Sequence, residues 1–118
     1  MFELQVESAF DSAHALRGYK GKCENLHGHT WRVQIFLQGD KLNNIGIMTD
    51  FKDIKAVLGK VIDQLDHKNL NDLPQFQKDN PSSENVAKWI YGELKKELPG
   101  LVKVSVWESP TSCASYFS

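Results

Sequence analysis

The chain has 118 residues, 41% of them hydrophobic and 25% charged, with a formal net charge of -1 at pH 7. This length and balance predict one compact domain, residues 1–118, with a real core and no room for a second. Near-neutral charge gives no global drive toward nucleic acid or a membrane surface, and no apolar run approaches the length of a membrane span.

Phe2, Leu4 and Val6 alternate with Glu3, Gln5 and Glu7, the period of a half-buried strand that runs on toward His14. The same segment has no basic and apolar leader pattern, so a cytoplasmic, reducing setting is expected, with Cys23 and Cys113 as thiols. Gly18 and Gly21 mark a loop. Trp31, Val33, Ile35 and Leu37 form a second strand ending at Gly39-Asp40, and "GIMTDF" is expected to add a short return strand. From Phe51 the spacing becomes helical through Ile54, Val57, Leu58, Val61, Ile62 and Leu65, with Asp50 as N-cap and a stop near Asp66.

After the Asn-, Asp- and Pro-rich loop "NLNDLPQFQKDNP", Ser82 or Ser83 caps a second amphipathic helix carrying Val86, Ala87, Ile90, Tyr91, Leu94 and Leu98. Pro99-Gly100 ends it. Val102, Val104 and Val106 then alternate as a third strand, and "CASYFS" follows the Ser109-Pro110 turn as a fourth. The order ββααββ predicts an α+β domain: a four-stranded antiparallel sheet with two helices on one face. Such a sheet leaves edge strands free, which favours association with further copies.

The stretch "CENLHGH" carries the chemistry. His27 and His29 are two apart, so on an extended second strand both imidazoles point to the core side with Trp31. Two imidazoles at a core rim suit a shared cation; otherwise each needs its own hydrogen-bond partner. His14 shares parity with Val6 and Phe10 and reaches the same end of the sheet if the first two strands pair. Three imidazoles describe a zinc site with an open position, whereas a histidine that merely packs at a strand end leaves two.

Cys23 lies in a loop with Lys20 and Lys22, where positive charge and a metal favour thiolate; it reads as a general base or as a fourth zinc ligand that closes the site. Asp66-His67 reads as a proton-transferring pair or as a histidine placed by the helix dipole. Glu108 falls on the apolar side of the third strand; it reads as a carboxylate that a ligand with adjacent N–H donors would satisfy, or as the end of a strand already twisted to solvent. Arg17, Lys20, Lys22 and Arg32 make a basic stretch that reads as solvated loop or as an anion-attracting rim.

Taken together, "CENLHGH", His14 in "FDSAH", "LDHKNLND", "PSSENVAKWI" and "WESPTSCASY" resemble the 6-pyruvoyl-tetrahydropterin synthase family over nearly the whole chain. The resemblance implies a tunnelling fold, whose ββααββ subunits join sheets into barrels, usually as hexamers. It implies zinc held by His14, His27 and His29, Cys23 as catalytic base, and Asp66 and His67 as the second proton-transfer group. Glu108 would anchor a pterin ring, with Ser82, Ser83 and Glu84 nearby. The implied substrate is 7,8-dihydroneopterin triphosphate. The short interval between Cys23 and His27 resembles the branch that releases acetaldehyde and triphosphate and forms 6-carboxy-5,6,7,8-tetrahydropterin for queuosine biosynthesis. The rival readings are a 6-pyruvoyl product and a non-catalytic zinc-stabilised binding module.

Overall fold

The computed structural model describes residues 1–21 and 25–118, so Lys22 and the proposed base Cys23 lie outside the described residues. Two long strands, β1 (Phe2–His14) and β2 (His27–Gly39), pair antiparallel over their full length, from Phe2 opposite Gly39 to His14 opposite His27. Even-numbered residues of β1 and odd-numbered residues of β2 point to the same face, which buries Val6, Phe10, Trp31, Val33 and Ile35. Histidines 14, 27 and 29 therefore share the core-side face at one end of this pair, as their spacing predicts.

Helix α1 (Phe51–Asp63) starts where Asp50 accepts a hydrogen bond from the Lys52 N–H at 2.8 Å, and it buries Ile54, Leu58, Val61 and Ile62. Helix α2 (Ser83–Lys95) is capped by Ser82, which accepts from the Asn85 N–H at 3.2 Å, and buries Val86, Ala87, Ile90 and Leu94. Both helices lie over the apolar face of the sheet. None of the described helices is long and apolar enough to cross a membrane.

The sheet has five strands rather than four, in the order β3-β1-β2-β4-β5. The addition is β3 (Lys68–Asn69), two residues running parallel to Ser12 and Ala13 and too short to leave an alternation in the sequence. The remaining strands are β4 (Leu101–Ser109) and β5 (Ser112–Phe117). The return strand expected at "GIMTDF" is not formed: residues 44–49 are turns and bends leading to the α1 cap. Asn43 holds them, its side chain accepting from the Ile45 and Ile47 N–H groups at 3.0 and 3.1 Å. A register shift opposite Phe36 and Leu37 also places Leu101, not Val102, in the core.

Candidate metal centre and active site

Three strands bring the site together. His14 ends β1, His27 and His29 begin β2, and Glu108 lies near the end of β4. One ring nitrogen or carboxylate oxygen from each of the four lies within 4.8 Å of the others. The imidazoles meet at steep angles, with ring centroids 4.6 Å apart for His14 and His27, 5.1 Å for His14 and His29, and 4.7 Å for His27 and His29.

Backbone carbonyls set which nitrogens are free. His14 is buried and its Nδ1 is 2.7 Å from the Pro81 carbonyl; His27 Nδ1 is 2.7 Å from the Asn25 carbonyl. A carbonyl only accepts, so both Nδ1 atoms carry a proton, and in its neutral form each ring presents an Nε2 lone pair. The Nε2 of His29 is buried and lacks an aligned hydrogen bond among the described residues, although Glu108 Oε1 is 2.9 Å away. His14 Nε2 lies 3.1 Å from the same oxygen. Lone pairs and a carboxylate oxygen facing one another at these distances need a proton or a metal cation between them.

Three imidazole nitrogens, with outer carbonyls orienting two of the rings, suit zinc, and the Glu108 carboxylate lies beside them within reach of the same position. Burial keeps the His29 imidazolium disfavoured, as do His14 and His27, and outweighs the opposing pull of Glu108; its pKa falls below the usual histidine value. Glu108 behaves oppositely. Burial pushes its carboxyl up, but a 2.8 Å hydrogen bond from Ser83 Oγ to Oε2 and the two nearby imidazoles hold it below the ordinary glutamate value.

Glu108 stands between two cavities. One, of about 510 Å³, opens where β2 and β4 part beyond the Arg32–Trp107 pair, and is lined by His29, Thr30, Arg32, Trp107, Glu108 and Pro110. The other, of about 230 Å³, is lined by Ser83, Glu84, Glu108, Ser112, Cys113 and Ala114. Ser83 and Glu84 thus fall beside Glu108 as expected, while the Ser82 hydroxyl is used as the α2 cap. The sequence reading placed Glu108 on a ligand ring only; its place among the imidazoles arises from the three-dimensional meeting of β1, β2 and β4.

Asp66 and His67 form a second cluster at the outer edge of β1, with His67 Nδ1 3.0 Å from Asp66 Oδ1. Asp11 joins them: its N–H donates to Asp66 Oδ1 at 3.0 Å and its carbonyl accepts from the His67 N–H at 2.7 Å. The first of these bonds, followed by the neighbouring His67, keeps the Asp66 carboxyl below its ordinary value despite the desolvation that opposes it. The buried Ser12 hydroxyl donates to the Leu65 carbonyl and accepts from the Lys68 N–H at 3.2 Å, which completes the attachment of this corner to β1. Asp11 and Ser12 were not singled out in the sequence, since neither lies in a spacing that marks it.

Of the basic stretch, Arg17 is turned away from any rim role. Its guanidinium donates to the backbone carbonyls of Phe76, Gln77 and Asp79 and to Asn80 Oδ1. Arg32 instead lies over the Trp107 ring at 4.4 Å on the wall of the larger cavity.

The chain matches the family model described as 6-pyruvoyl tetrahydropterin synthase over residues 3–118. A Synechocystis protein named 6-carboxy-5,6,7,8-tetrahydropterin synthase is 38% identical to it over 124 positions, covering 100% of this chain and 95% of the relative. A Pyrococcus furiosus protein named dihydroneopterin monophosphate aldolase is 39% identical over 104 positions, covering 86% and 84%. The solved structure of Caenorhabditis elegans 6-pyruvoyl tetrahydropterin synthase superposes with a TM-score of 0.92 at 28% identity, covering 99% and 95% of the two chains.

Proposed function

Because the chain belongs to the 6-pyruvoyl tetrahydropterin synthase family and carries its fold, we propose that it is a zinc-dependent lyase acting on 7,8-dihydroneopterin triphosphate. Its products are then 6-carboxy-5,6,7,8-tetrahydropterin, acetaldehyde and triphosphate, with one water consumed, in queuosine biosynthesis. The observation that carries this reading is the convergence of His14, His27, His29 and Glu108 at the junction of two cavities.

In this proposal His14, His27 and His29 hold zinc through Nε2. When bound, the ion supplies Lewis acidity toward side-chain hydroxyl oxygens of the substrate, acidifying the adjacent C–H bonds. Glu108 accepts N–H groups of the pterin ring, with its carboxylate kept anionic by Ser83 and the imidazoles. Ser82, Ser83 and Glu84 shape the start of α2 around that ring. Cys23 takes a proton as general base, an assignment that rests on the family resemblance alone. Asp66 orients His67 through Nδ1 and His67 relays a second proton.

The protein works as a homo-oligomer in this reading, a hexamer by resemblance, in the cytoplasm. Support comes from β5 on one edge of the sheet and from the length of β1 beyond its two-residue pairing with β3 on the other.

Incubating the zinc-loaded protein with 7,8-dihydroneopterin triphosphate and identifying products by mass spectrometry tests the proposal. The 6-carboxy product with acetaldehyde is expected. A 6-pyruvoyl product would keep the family and move the branch, and turnover of the monophosphate alone, in a parallel incubation, would align the chain with its Pyrococcus relative. Unchanged substrate would leave the zinc-stabilised binding module.

A further inference from the structure

The residues after β1 are bound to the loop before α2 by two asparagines that act as backbone surrogates. Asn71 accepts from the Ala15 N–H at 2.8 Å and donates to the Ala15 carbonyl at 2.9 Å. Asn80 accepts from the Arg17 N–H at 3.1 Å and donates to the Arg17 carbonyl at 2.8 Å. The Arg17 side chain then folds back, with Nε 3.0 Å from Asn80 Oδ1 and its terminal nitrogens on the carbonyls of Phe76, Gln77 and Asp79. Asn80 is held from the other side too, since its carbonyl accepts from Asn85 Nδ2 at 2.9 Å in the first turn of α2.

The next residue is Pro81, which is buried and whose carbonyl meets His14 Nδ1 at 2.7 Å. A closed ring results: His14 leads along the chain to Arg17, Arg17 is bonded to Asn80, and Asn80 leads to Pro81 and back to His14. We propose that the Arg17–Asn80 clamp is the positioning device that presents the Pro81 carbonyl to His14 and so fixes the tautomer in which Nε2 is free to bind zinc.

Three features support this assignment over a merely local staple. The clamp uses both the oxygen and the nitrogen of the Asn80 carboxamide and all three nitrogens of a planar guanidinium, which lysine cannot reproduce. Its two anchor points flank the His14–Pro81 bond, three residues from His14 on one side and one from Pro81 on the other. Proline restricts the preceding Asn80 backbone toward extended geometry, so few free torsions lie between the Asn80 clamp and the Pro81 carbonyl. Among the described residues, Arg17 and Asn80 hydrogen-bond to none of the three imidazoles and line neither of the two cavities, so the Pro81 carbonyl is the link between clamp and ring.

The inference rests on the zinc reading above, and its test separates the two. Asn80→Ala, Arg17→Lys and the wild type are compared by chelator competition for zinc, by visible absorption of the cobalt(II)-loaded protein, and by ¹⁵N NMR of the His14 tautomer without metal. Asn80→Ala is expected to weaken zinc binding by roughly 10- to 100-fold, the size found for groups that orient a metal-ligating histidine. It is also expected to shift the cobalt spectrum and to admit the Nε2–H tautomer of His14. Arg17→Lys, at an exposed position, follows in the same direction with a smaller loss.

A lower melting temperature with zinc affinity, cobalt spectrum and tautomer all unchanged would reduce the clamp to ordinary loop stability and overturn the inference. If the wild type binds no zinc, the zinc reading fails. The tautomer comparison between wild type and Asn80→Ala, or Arg17→Lys if the first variant does not fold, then still decides whether the clamp sets the ring.

Discussion

Ser83 Oγ donates to Glu108 Oε2 across 2.8 Å, so the first residue of α2 holds the carboxylate whose other oxygen faces His14 and His29. The helix thereby sets the position of a β4 side chain at the site. Ser83→Ala removes one hydrogen bond to a charged acceptor that is partly exposed, and is expected to cost about 1 kcal/mol of stability. Glu108→Gln keeps a partner for Ser83 but removes the negative charge. With the lyase reading, kcat/KM falls by about 100-fold while zinc affinity changes little. Urea denaturation, steady-state kinetics and chelator competition measure the three quantities; loss of zinc in Glu108→Gln would make Glu108 a ligand rather than a ring anchor.

Asp66 supplies a pH dependence. Its carboxyl is held below the ordinary aspartate value, first by the Asp11 N–H and then by His67. A depressed folded-state pKa adds stability that is fully present above the unfolded value of about 3.9 and is lost as pH falls through the folded value. The stability difference between the wild type and Asp66→Asn should therefore be near its full size at about pH 5 and shrink progressively as pH falls below that. Urea midpoints of the metal-free proteins across that range give the curve. A difference that stays level down to pH 3 would mean the Asp11 bond does not stabilise the ionised form.

His67 sits at φ 55°, the left-handed region, immediately after the α1 corner. For a non-glycine residue with a Cβ this costs about 1 kcal/mol, and asparagine bears it better than alanine. The side chain is 78% exposed, so little packing is lost when it is replaced. His67→Asn is expected to match or exceed His67→Ala in thermal stability, with turnover falling at least 100-fold in both under the proton-relay reading. Retained turnover in either variant would remove His67 from the chemistry.

The order of the main elements and the shared face of His14, His27 and His29 were legible because long alternations and helical spacings state which side each residue takes. The junctions were not. A two-residue strand at Lys68 carries no period, the turns after Asn43 are set by one side chain rather than by pattern, and the bulge near Leu101 reverses parity without a sequence mark. The same limit applied to the site. Periodicity placed Glu108 on the correct face, but its contact with His14, 94 residues away, depends on which strands become neighbours. The roles of Asp11, Ser12, Arg17 and Asn80 depend on backbone groups, and any residue can offer those.

Cys23 decides between catalysis and structure. Under the lyase reading the thiol moves a proton and contributes no bond to the metal, so Cys23→Ala keeps zinc affinity within a few-fold and abolishes turnover. Under the binding-module reading it closes the coordination shell; its loss weakens zinc retention and lowers the melting temperature of the loaded protein. Cys23→Ser sharpens the contrast, because a hydroxyl retains the shape but is a far weaker acid than a thiol, and so cannot replace a thiolate base at neutral pH. Zinc titration and product formation on the same two variants read both properties at once. Full zinc affinity with no product would locate the chemistry at Cys23, whereas joint loss of metal and stability would make it a ligand.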